Sequence, residues 1–142
     1  MQLNVRRLEQ GDAALAVDLV KSFAAKDVSL AYVERFLSNP LNYLIVAQVD
    51  REVAGFLLAH ALQRLKQASY KMFIYEIDVA EKHRRKGVGT ALIEYVREIV
   101  RKEEMLNAFV FTSYSNQGAV EFYKSTGGKM ENGDDLMFVY DR

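Results

Sequence analysis

Hydrophobic residues recur along the 142-residue chain with two periods, one typical of strands and the other of helices. Short β-branched and apolar runs predict strands at residues 2–8, 43–49, 53–62, 71–80, 108–114 and 136–140. Apolar residues spaced by three and four predict helices at residues 13–23, 29–37, 88–102 and 116–125. The order β-αα-βββ-α-β-α-β(β), in which the strand in parentheses is not assigned to residues, has neither repeat nor linker and indicates one α/β (α+β) domain over residues 1–142.

Helix caps and turn residues set the limits of these elements. Asp12 is a candidate N-cap for the first helix, and Asn39-Pro40 ends the second because a residue before proline avoids helical backbone. Residues 50–52 (Asp-Arg-Glu) predict a hairpin turn between two antiparallel strands. Asn116 opens the fourth helix and Gly127-Gly128 closes it.

The predicted strand at 71–80 carries two carboxylates. Strict alternation places four residues on one face, which we expect to be the core face: Phe73, Tyr75, Ile77 and Val79. The other face would then carry Met72, Ile74, Glu76 and Asp78. Because the two acids are two residues apart on one strand, they share a face.

Composition removes several classes of function. The 19 basic and 19 acidic residues balance, so no overall positive field attracts nucleic acid. With no cysteine and only 2 histidines, we expect no disulfide, no metal site and no thiol nucleophile. No run approaches the roughly 20 apolar residues that span a bilayer, and no signal peptide begins the sequence. We therefore expect a cytoplasmic protein that binds neither membrane nor nucleic acid.

The stretch RRKGVGTA, residues 84–91, joins a predicted strand to a predicted helix. A helix N-terminus has unpaired N–H groups and a partial positive charge, so it binds anions. Gly87 and Gly89 would let backbone approach a diphosphate, and three basic residues precede them. The stretch lacks the Gly-Lys-Ser/Thr of a P-loop and the third glycine of a dinucleotide fingerprint. The alternative is a basic surface turn that only starts the helix. His83, just before the arginines, would either touch phosphate or be a solvated loop residue.

Two motifs carry a resemblance to a known superfamily. Arg84-x-x-Gly87-x-Gly89, after a strand that ends Ile77-Asp78-Val79, resembles motif A of the GNAT superfamily of acyl-CoA-dependent N-acyltransferases. The spacing Asn116-x-x-Ala119-x-x-Phe122-Tyr123-Lys124-x-x-Gly127 is similar to its second motif. Within the superfamily, IYEIDVAEKHRRKGVGTALIEYV and AVEFYKSTG look most like the small aminoglycoside 3-N-acetyltransferases (type I). Gly128 departs from the pattern, which usually has an aromatic residue there.

This resemblance implies a fold, a cofactor and a set of contacts. The fold would be a mixed, mostly antiparallel sheet, flanked by the predicted helices and splayed between the strands at 71–80 and 108–114. Acetyl-CoA (coenzyme A) would be the cofactor, with pantetheine in the splay and diphosphate over the glycine turn. The implied cofactor-binding residues are Ile77, Asp78, Val79, Arg84, Arg85, Lys86, Gly87, Val88, Gly89, Thr90, Asn116, Ala119 and Tyr123.

Three residues are candidate catalytic groups. Either Glu76, which the resemblance favours, or Asp78 would accept a proton from the acceptor ammonium; the alternative is that both only keep an exposed strand face soluble. The resemblance assigns Tyr123 as the proton donor to the departing thiolate, and a core tyrosine beside Phe122 is the alternative. Asn116 would bind pantetheine, cap its helix, or do both.

The implied acceptor is a small-molecule amine with several positive charges, best an aminoglycoside modified at its 3-N position. Candidate acceptor-binding residues are the acids Glu76, Asp78, Asp27, Glu131, Asp134 and Asp135. The alternatives are a polyamine, a protein amine, or a non-catalytic acyl-CoA-binding sensor. We also expect a homodimer, because exposed sheet edges often pair across two-fold axes.

Overall fold

Five strands and four helices follow the predicted order as far as the fourth helix in the computed structural model, which describes residues 1–142. In chain order they are β1 (Leu3–Arg7), α1 (Ala13–Ala24), α2 (Leu30–Ser38), β2 (Asn42–Val49), β3 (Glu52–Gln63), β4 (Tyr70–Val79), α3 (Val88–Lys102), β5 (Ala108–Val110) and α4 (Gln117–Ser125). The chain divides into two units: Met1–Phe111 holds the sheet and α1 to α3, and Thr112–Arg142 holds α4. No helix is both long enough and apolar enough to cross a bilayer.

All five strands form one sheet in the order β1-β2-β3-β4-β5. β1 to β4 pair antiparallel with their neighbours, and β5 pairs parallel with β4. The sheet is therefore mixed and mostly antiparallel, which confirms the predicted class. β5 is shorter than the predicted strand at 108–114, because only Ala108–Val110 pair, opposite Met72–Ile74. Beyond Ile74 the two strands no longer pair.

The first unit packs helices on both faces of the sheet. One buried cluster lies between the sheet and the pair α1 and α2; it contains Leu8, Ala13, Ala16, Leu19, Val33, Leu44, Val46 and Phe56. Along β3 the neighbours of Phe56 face the other way, and there a Cβ on Gly55 would lie 3.2 Å from Cγ1 of Val88 in α3. Leu57, next along β3, is fully buried. Removal of this apolar surface from water is the main force that holds the layers together.

A β-bulge in β4 changes the faces that strict alternation predicts. Leu58 of β3 lies opposite Glu76, and Ala59 lies opposite Ile74, so Tyr75 is an extra residue without a partner. Residues directly opposite one another share a face of the sheet. The register therefore places Phe73, Glu76 and Asp78 on the α1/α2 side and Met72, Ile74, Ile77 and Val79 on the α3 side.

The prediction of the core face of β4 is therefore wrong for the part of the strand up to Tyr75. Met72 and Ile74 are buried, whereas Tyr75 is 63% exposed. The two carboxylates do share a face, but with Phe73 and not with Met72. The physical reason is the extra residue, which shifts the alternation by one position at the bulge.

Two local predictions have opposite outcomes. The Asp12 carboxylate does not cap α1: it accepts the Glu9 N–H at 2.8 Å and pairs with the Arg6 guanidinium at 3.1 Å, which closes a short 3-10 turn before the helix. The predicted hairpin between β2 and β3 is present. Its turn residues Asp50 and Arg51 both have positive φ, as a tight two-residue turn requires.

The second unit contains α4 and no strand. α4 ends before Gly127, whose φ is +96°, and the Gly128 N–H donates to the Tyr123 carbonyl at 2.7 Å, as a glycine C-cap predicts. The predicted strand at 136–140 is not formed, and its side chains are 71% to 95% exposed. A strand is defined by its backbone partners, and the five-stranded sheet does not include this segment.

Candidate active site

Glu76 and Asp78 stand on the α1/α2 side of β4, just after the bulge. The Glu76 side chain is exposed. The Asp78 carboxylate accepts the Val79 N–H at 2.9 Å and lies 4.0 Å from the Arg84 guanidinium. Glu76 is therefore the freer of the two acids, and Asp78 is tied to the end of its own strand.

The edge of β4 that faces β5 is unpaired from Tyr75 to Val79, because β5 pairs only with residues 72–74. The backbone groups of Val79 lie on this edge and do not face β3. The Val79 N–H donates to Asp78 Oδ1, and the Val79 carbonyl accepts from the Arg84 Nε–H at 3.1 Å. Along an antiparallel ladder the direction of the backbone groups alternates. Ile77 therefore presents its backbone to the same edge, and the Asp78 backbone faces β3.

The exposed N-terminus of α3 follows this edge after a short turn. Gly87 is the N-cap, with φ +81° and no side chain to cap the helix. The first intrahelical bond runs from the Ala91 N–H to the Gly87 carbonyl at 3.0 Å, so the N–H groups of residues 88–90 precede the ladder. The Arg84, Arg85 and Lys86 side chains are exposed around this turn. The arrangement has the donors and the charge of an anion-binding site.

Gly55 positions this turn, although it is not among the site residues predicted from the sequence. A Cβ at residue 55 would lie 2.8 Å from the Asp78 carbonyl and 3.2 Å from Cγ1 of Val88. Only a residue without a side chain lets β3, the end of β4 and the start of α3 approach this closely. An isolated glycine inside a strand pattern is the available signal for such an approach.

His83 lies under the basic turn and is buried, contrary to the expectation of a solvated residue. Neither ring nitrogen has a hydrogen-bond partner, although Nε2 lies 3.6 Å from the Glu52 carboxylate. The Glu52 carboxylate also forms an ion pair with the Lys82 ammonium at 2.5 Å. The hydrogen bond from Lys82 lowers the pKa of the Glu52 carboxyl. The β2–β3 hairpin thus supports residues 81–83, which lead into the turn.

A row of aromatic rings continues from Glu76 along the α1/α2 side. His60 contacts Tyr75 at 5.9 Å and Phe36 of α2 at 6.2 Å between centroids, and Phe73 contacts Tyr75 at 5.9 Å. Burial lowers the pKa of His60, whose Nδ1 lies 3.0 Å from Asn42 Oδ1. These rings come together from three elements, so the sequence alone gave no sign of the row.

Asn116, Ala119 and Tyr123 belong to the second unit. The Asn116 side chain accepts the Ala119 N–H at 3.1 Å, which makes it the N-cap of α4 as predicted. The Tyr123 phenol is half-buried, and burial raises its pKa. A Cβ on Gly128 would lie 2.7 Å from the Tyr123 carbonyl, which explains why no aromatic residue stands there.

The other predicted acceptor-binding acids are surface residues. Asp27 follows α1 and pairs with Lys21 at 3.3 Å. Glu131, Asp134 and Asp135 are exposed residues of the second unit, where Asp135 accepts from the Asn132 side chain at 2.9 Å. No group of three or more histidine or acidic side chains is arranged to hold a metal ion.

Sequence comparison finds acetyltransferases among the relatives of this chain. A family model described as the Acetyltransferase (GNAT) family matches residues 13–127. A curated N-alpha-acetyltransferase of Sulfurisphaera tokodaii is 32% identical over 59% of this chain and 54% of that protein. The chain therefore spans about half the length of this curated relative.

Solved structures share the fold over nearly the whole chain. An aminoglycoside acetyltransferase, meta-AAC0020, from an uncultured soil metagenomic sample and in complex with trehalose, has a TM-score of 0.91 at 22% identity, covering 99% of this chain and 96% of its own. A second such enzyme of soil metagenomic origin, HMB0005, has a TM-score of 0.87 at 27% identity, covering 100% and 99%. AAC(6')-Iy in complex with a CoA bisubstrate analogue has a TM-score of 0.82 at 20% identity, covering 100% and 99%.

Proposed function

Because this chain belongs to the acetyltransferase (GNAT) family, we propose that it transfers acetyl from acetyl-CoA to an amine of a small polycationic acceptor. The best single choice of acceptor is an aminoglycoside, acetylated at its 3-N position. One observation carries the proposal: unpaired backbone along β4 residues 75–79 leads to the uncapped N-terminus of α3. A long donor molecule with an anionic end fits such a path.

Coenzyme A matches this path in its chemistry at both ends. Its pantetheine arm carries amides, which pair with the backbone of Ile77 and Val79 in the manner of an added strand. Its diphosphate takes the N–H groups of residues 88–90 and the charges of Arg85 and Lys86. Binding requires Arg84 and Asp78 to release the Val79 groups that they now contact. Asn116 and Ala119 are proposed to bind pantetheine as well.

The chain supplies the proton transfers, and bound acetyl-CoA supplies an acetyl thioester. Glu76 accepts a proton from the acceptor ammonium, so that the amine has a free electron pair for acyl transfer. Asp78 shares this face and holds a further positive charge of the acceptor, or takes the role of the base. The Tyr123 phenol, whose pKa burial raises, carries its proton at neutral pH and donates it to the departing thiolate. The protein itself forms no covalent intermediate.

Several features support a polycationic acceptor. Glu76 and Asp78 face the side of the sheet on which Tyr75 is exposed, and aromatic faces attract cations. The two neighbours with TM-scores of 0.91 and 0.87 are named aminoglycoside acetyltransferases. Asp27, Glu131, Asp134 and Asp135 are proposed as additional contacts for positive charge. A 3-N position comes from the sequence resemblance alone.

A protein N-terminal amine is the second candidate acceptor. The curated relative that is 32% identical is named an N-alpha-acetyltransferase. A peptide presents one amine and an extended backbone, whereas an aminoglycoside presents several amines on rings. Short peptides that start with different residues therefore belong in the same assay.

The test is acceptor-dependent release of free thiol from acetyl-CoA by the purified protein. The panel contains aminoglycosides, polyamines and short peptides, with a control that lacks acceptor. Release with aminoglycosides alone supports the proposal, and release with peptides alone replaces it with the second candidate. If no acceptor works while acetyl-CoA still raises the melting temperature, the aminoglycoside acceptor is refuted, and either the acceptor was missing from the panel or the protein is an acyl-CoA-binding sensor.

Two variants separate the proposed roles. Glu76→Gln is expected to leave acetyl-CoA affinity unchanged and to slow transfer most at low pH, where nearly all of the acceptor amine is protonated. Tyr123→Phe is expected to lower kcat with little change in KM for acetyl-CoA. Glu98→Gln, on an exposed carboxylate of α3, is the matched control. Undiminished turnover in Glu76→Gln would mean that Asp78, and not Glu76, is the base.

A further inference from the structure

His60 of β3 is a titratable side chain that the proposed transfer does not use. It lies opposite Phe73 of β4, and Leu58, two residues before it, lies opposite Glu76. Side chains two residues apart on a strand share a face, and residues directly opposite one another do so as well. His60 and Glu76 are therefore diagonal neighbours on the α1/α2 side, with Cβ atoms roughly 7–8 Å apart.

Asn42 of β2 fixes the tautomer of the His60 imidazole. The Asn42 Nδ2–H donates to the Phe36 carbonyl at 3.0 Å, and a carbonyl can only accept, so the amide nitrogen faces α2. The amide oxygen then faces His60, where it lies 3.0 Å from Nδ1. Because this oxygen also only accepts, Nδ1 carries a proton. In the neutral imidazole the other nitrogen, Nε2, therefore has a free lone pair.

The lone pair of His60 Nε2 is available to a molecule in solution. The one hydrogen bond of this side chain is made at Nδ1. The buried side-chain atoms without a hydrogen-bond partner are the two ring nitrogens of His83, so His60 Nε2 is not enclosed. Nε2 can therefore accept a hydrogen bond from a molecule that binds to this face.

Rings on two sides hold the imidazole in place. Phe36 of α2 and Tyr75 of β4 both pack edge-on against it. Burial lowers the pKa of His60, so the imidazole is uncharged at neutral pH. Tyr75 is largely exposed, so a molecule that reaches Nε2 also meets an aromatic ring.

The charged side chains near His60 come from three sides, and most of them have contacts elsewhere. They are Glu76 and Lys71 of β4, Arg7 beside β2, and Glu34 and Arg35 of α2. The Lys71 ammonium lies over the Phe109 ring, and the Arg7 guanidinium donates to the Asn42 carbonyl at 2.9 Å. Arg35 lies over the Tyr32 ring, and Glu34 lines a cleft at the start of α1. None of these groups is bonded to Nε2.

We infer that His60 is an acceptor-binding residue: its Nε2 accepts a hydrogen bond from a second ammonium or hydroxyl group of the molecule whose reacting amine lies at Glu76. This role rests on the proposed transfer to a polycationic acceptor, and it states what such an acceptor must carry. A molecule with a single amine gains only the contact at Glu76. A molecule with a second donor a few bonds away gains both contacts.

The lone pair of Nε2 makes acceptor binding depend on pH. It exists only while the imidazole is neutral. As pH falls through the lowered pKa of His60, Nε2 takes up a proton, becomes a donor and repels an ammonium group. KM for the acceptor is therefore expected to rise below pH 6.5, the ordinary value from which burial lowers the pKa.

The first test separates KM from kcat in thiol release with kanamycin, an aminoglycoside rich in amines and hydroxyl groups. His60→Phe keeps a ring and removes Nε2. It is expected to raise KM for kanamycin roughly tenfold, the effect of one hydrogen bond to a charged group, with kcat and KM for acetyl-CoA unchanged. Gln63→Leu, at the exposed end of β3 and on its other face, is the matched control. An unchanged KM for kanamycin overturns the inference.

Asn42→Asp tests the same role without removing the imidazole, in case His60→Phe does not fold. A carboxylate beside Nδ1–H favours the imidazolium and raises the pKa of His60. The rise in KM for kanamycin should then begin at a higher pH than in the natural chain. A histidine that only packs against its neighbours would not move this profile, so an unshifted profile overturns the inference.

The imidazole can also be followed without turnover, because the chain has only 2 histidines. Long-range ¹H–¹⁵N spectra show which ring nitrogen carries the proton, and His60→Phe assigns the signals. We expect the proton on Nδ1 and a shift of the Nε2 signal when kanamycin is added. A proton on Nε2, or no response to kanamycin, overturns the inference.

These measurements separate the binding role from the proposed transfer. If no amine releases thiol while kanamycin still shifts the Nε2 signal, the transfer fails and the binding role stands. If kanamycin releases thiol while the Nε2 signal and the KM of His60→Phe stay unchanged, the binding role fails and the transfer stands.

Discussion

The Cβ atom that Gly55 lacks would lie 2.8 Å from the carbonyl oxygen of Asp78. The same atom would lie 3.2 Å from Cγ1 of Val88, the first residue of α3. One small residue in β3 therefore sets how closely the end of β4 approaches the start of α3. These two segments carry the proposed contacts for pantetheine and diphosphate.

We expect Gly55→Ala to lower the free energy of unfolding by about 1–3 kcal/mol, because the added methyl meets backbone that cannot rotate away. The same displacement should weaken acetyl-CoA binding. Urea denaturation and titration calorimetry measure the two effects. Gly11→Ala is the control, because a Cβ at residue 11 has no neighbour within 4 Å. Unchanged stability and affinity in Gly55→Ala would show that β4 and α3 shift apart at no cost.

Gly87 allows a comparison between backbone strain and steric contact. A Cβ there meets nothing within 4 Å, but the φ of +81° is unfavourable for a residue with a side chain. Gly87→Ala should therefore cost about 1–2 kcal/mol of stability and lower the affinity for acetyl-CoA. Gly87→Asn should lose less on both measures, because asparagine tolerates left-handed backbone. Equal losses in the two variants would mean that φ is not the cause.

Asn116 has an observed structural role and a proposed binding role. Asn116→Ala should reduce stability by about 1 kcal/mol, since α4 loses the acceptor for its Ala119 N–H. Asn116→Ser should restore the cap and the stability. If the amide also binds pantetheine, KM for acetyl-CoA stays raised in Asn116→Ser; a normal KM would leave only the capping role.

The pair of Arg6 and Asp12 makes stability depend on pH. The hydrogen bond from Arg6, followed by that from the Glu9 N–H, lowers the pKa of Asp12 in the folded chain. The unfolded chain thus binds this proton more tightly, and the stabilisation is complete above about pH 4 and lost as pH falls through the lowered folded pKa.

We expect Asp12→Asn to reduce stability by about 1 kcal/mol near neutral pH, and the difference from the natural chain to vanish in acid. Denaturation at several pH values measures this convergence. Asp18→Asn, at an exposed position of α1, is the matched control. A constant difference across the pH range would mean that packing, and not charge, is the cause.

The features that local signals specify were predictable. The α3 pattern, the hairpin at 50–52 and the glycine turn at 84–91 each depend on residues that are adjacent in sequence, and all three appear where they were expected. The strand at 136–140 had the local propensity but lacks a partner strand in its own chain. Propensity alone does not form a strand, because its hydrogen bonds go to residues that are distant in sequence.

The parts of the site that were missed depend on register and on long-range packing. Gly55 matters because of Asp78 and Val88, which are far from it in sequence. The ring contacts of His60 bring together β3, β4 and α2. His83 was expected in solvent and is buried beside Glu52 of the β2–β3 hairpin. None of these neighbours follows from a periodic pattern.

Tyr75 is a supernumerary residue in β4. If it is left out, the remaining strand reads Met-Phe-Ile-Glu-Ile-Asp-Val, an unbroken alternation that agrees with the faces set by β3. Shortening the chain by this one residue would thus keep both carboxylates on their present side and remove only the local bend. A straighter β4 would be free to pair with β5 along more of its length. The gap between the two strands beside Ile77 and Val79 would then close. The unpaired edge of β4 beside Ile77 and Val79 thus depends on one extra residue in the strand.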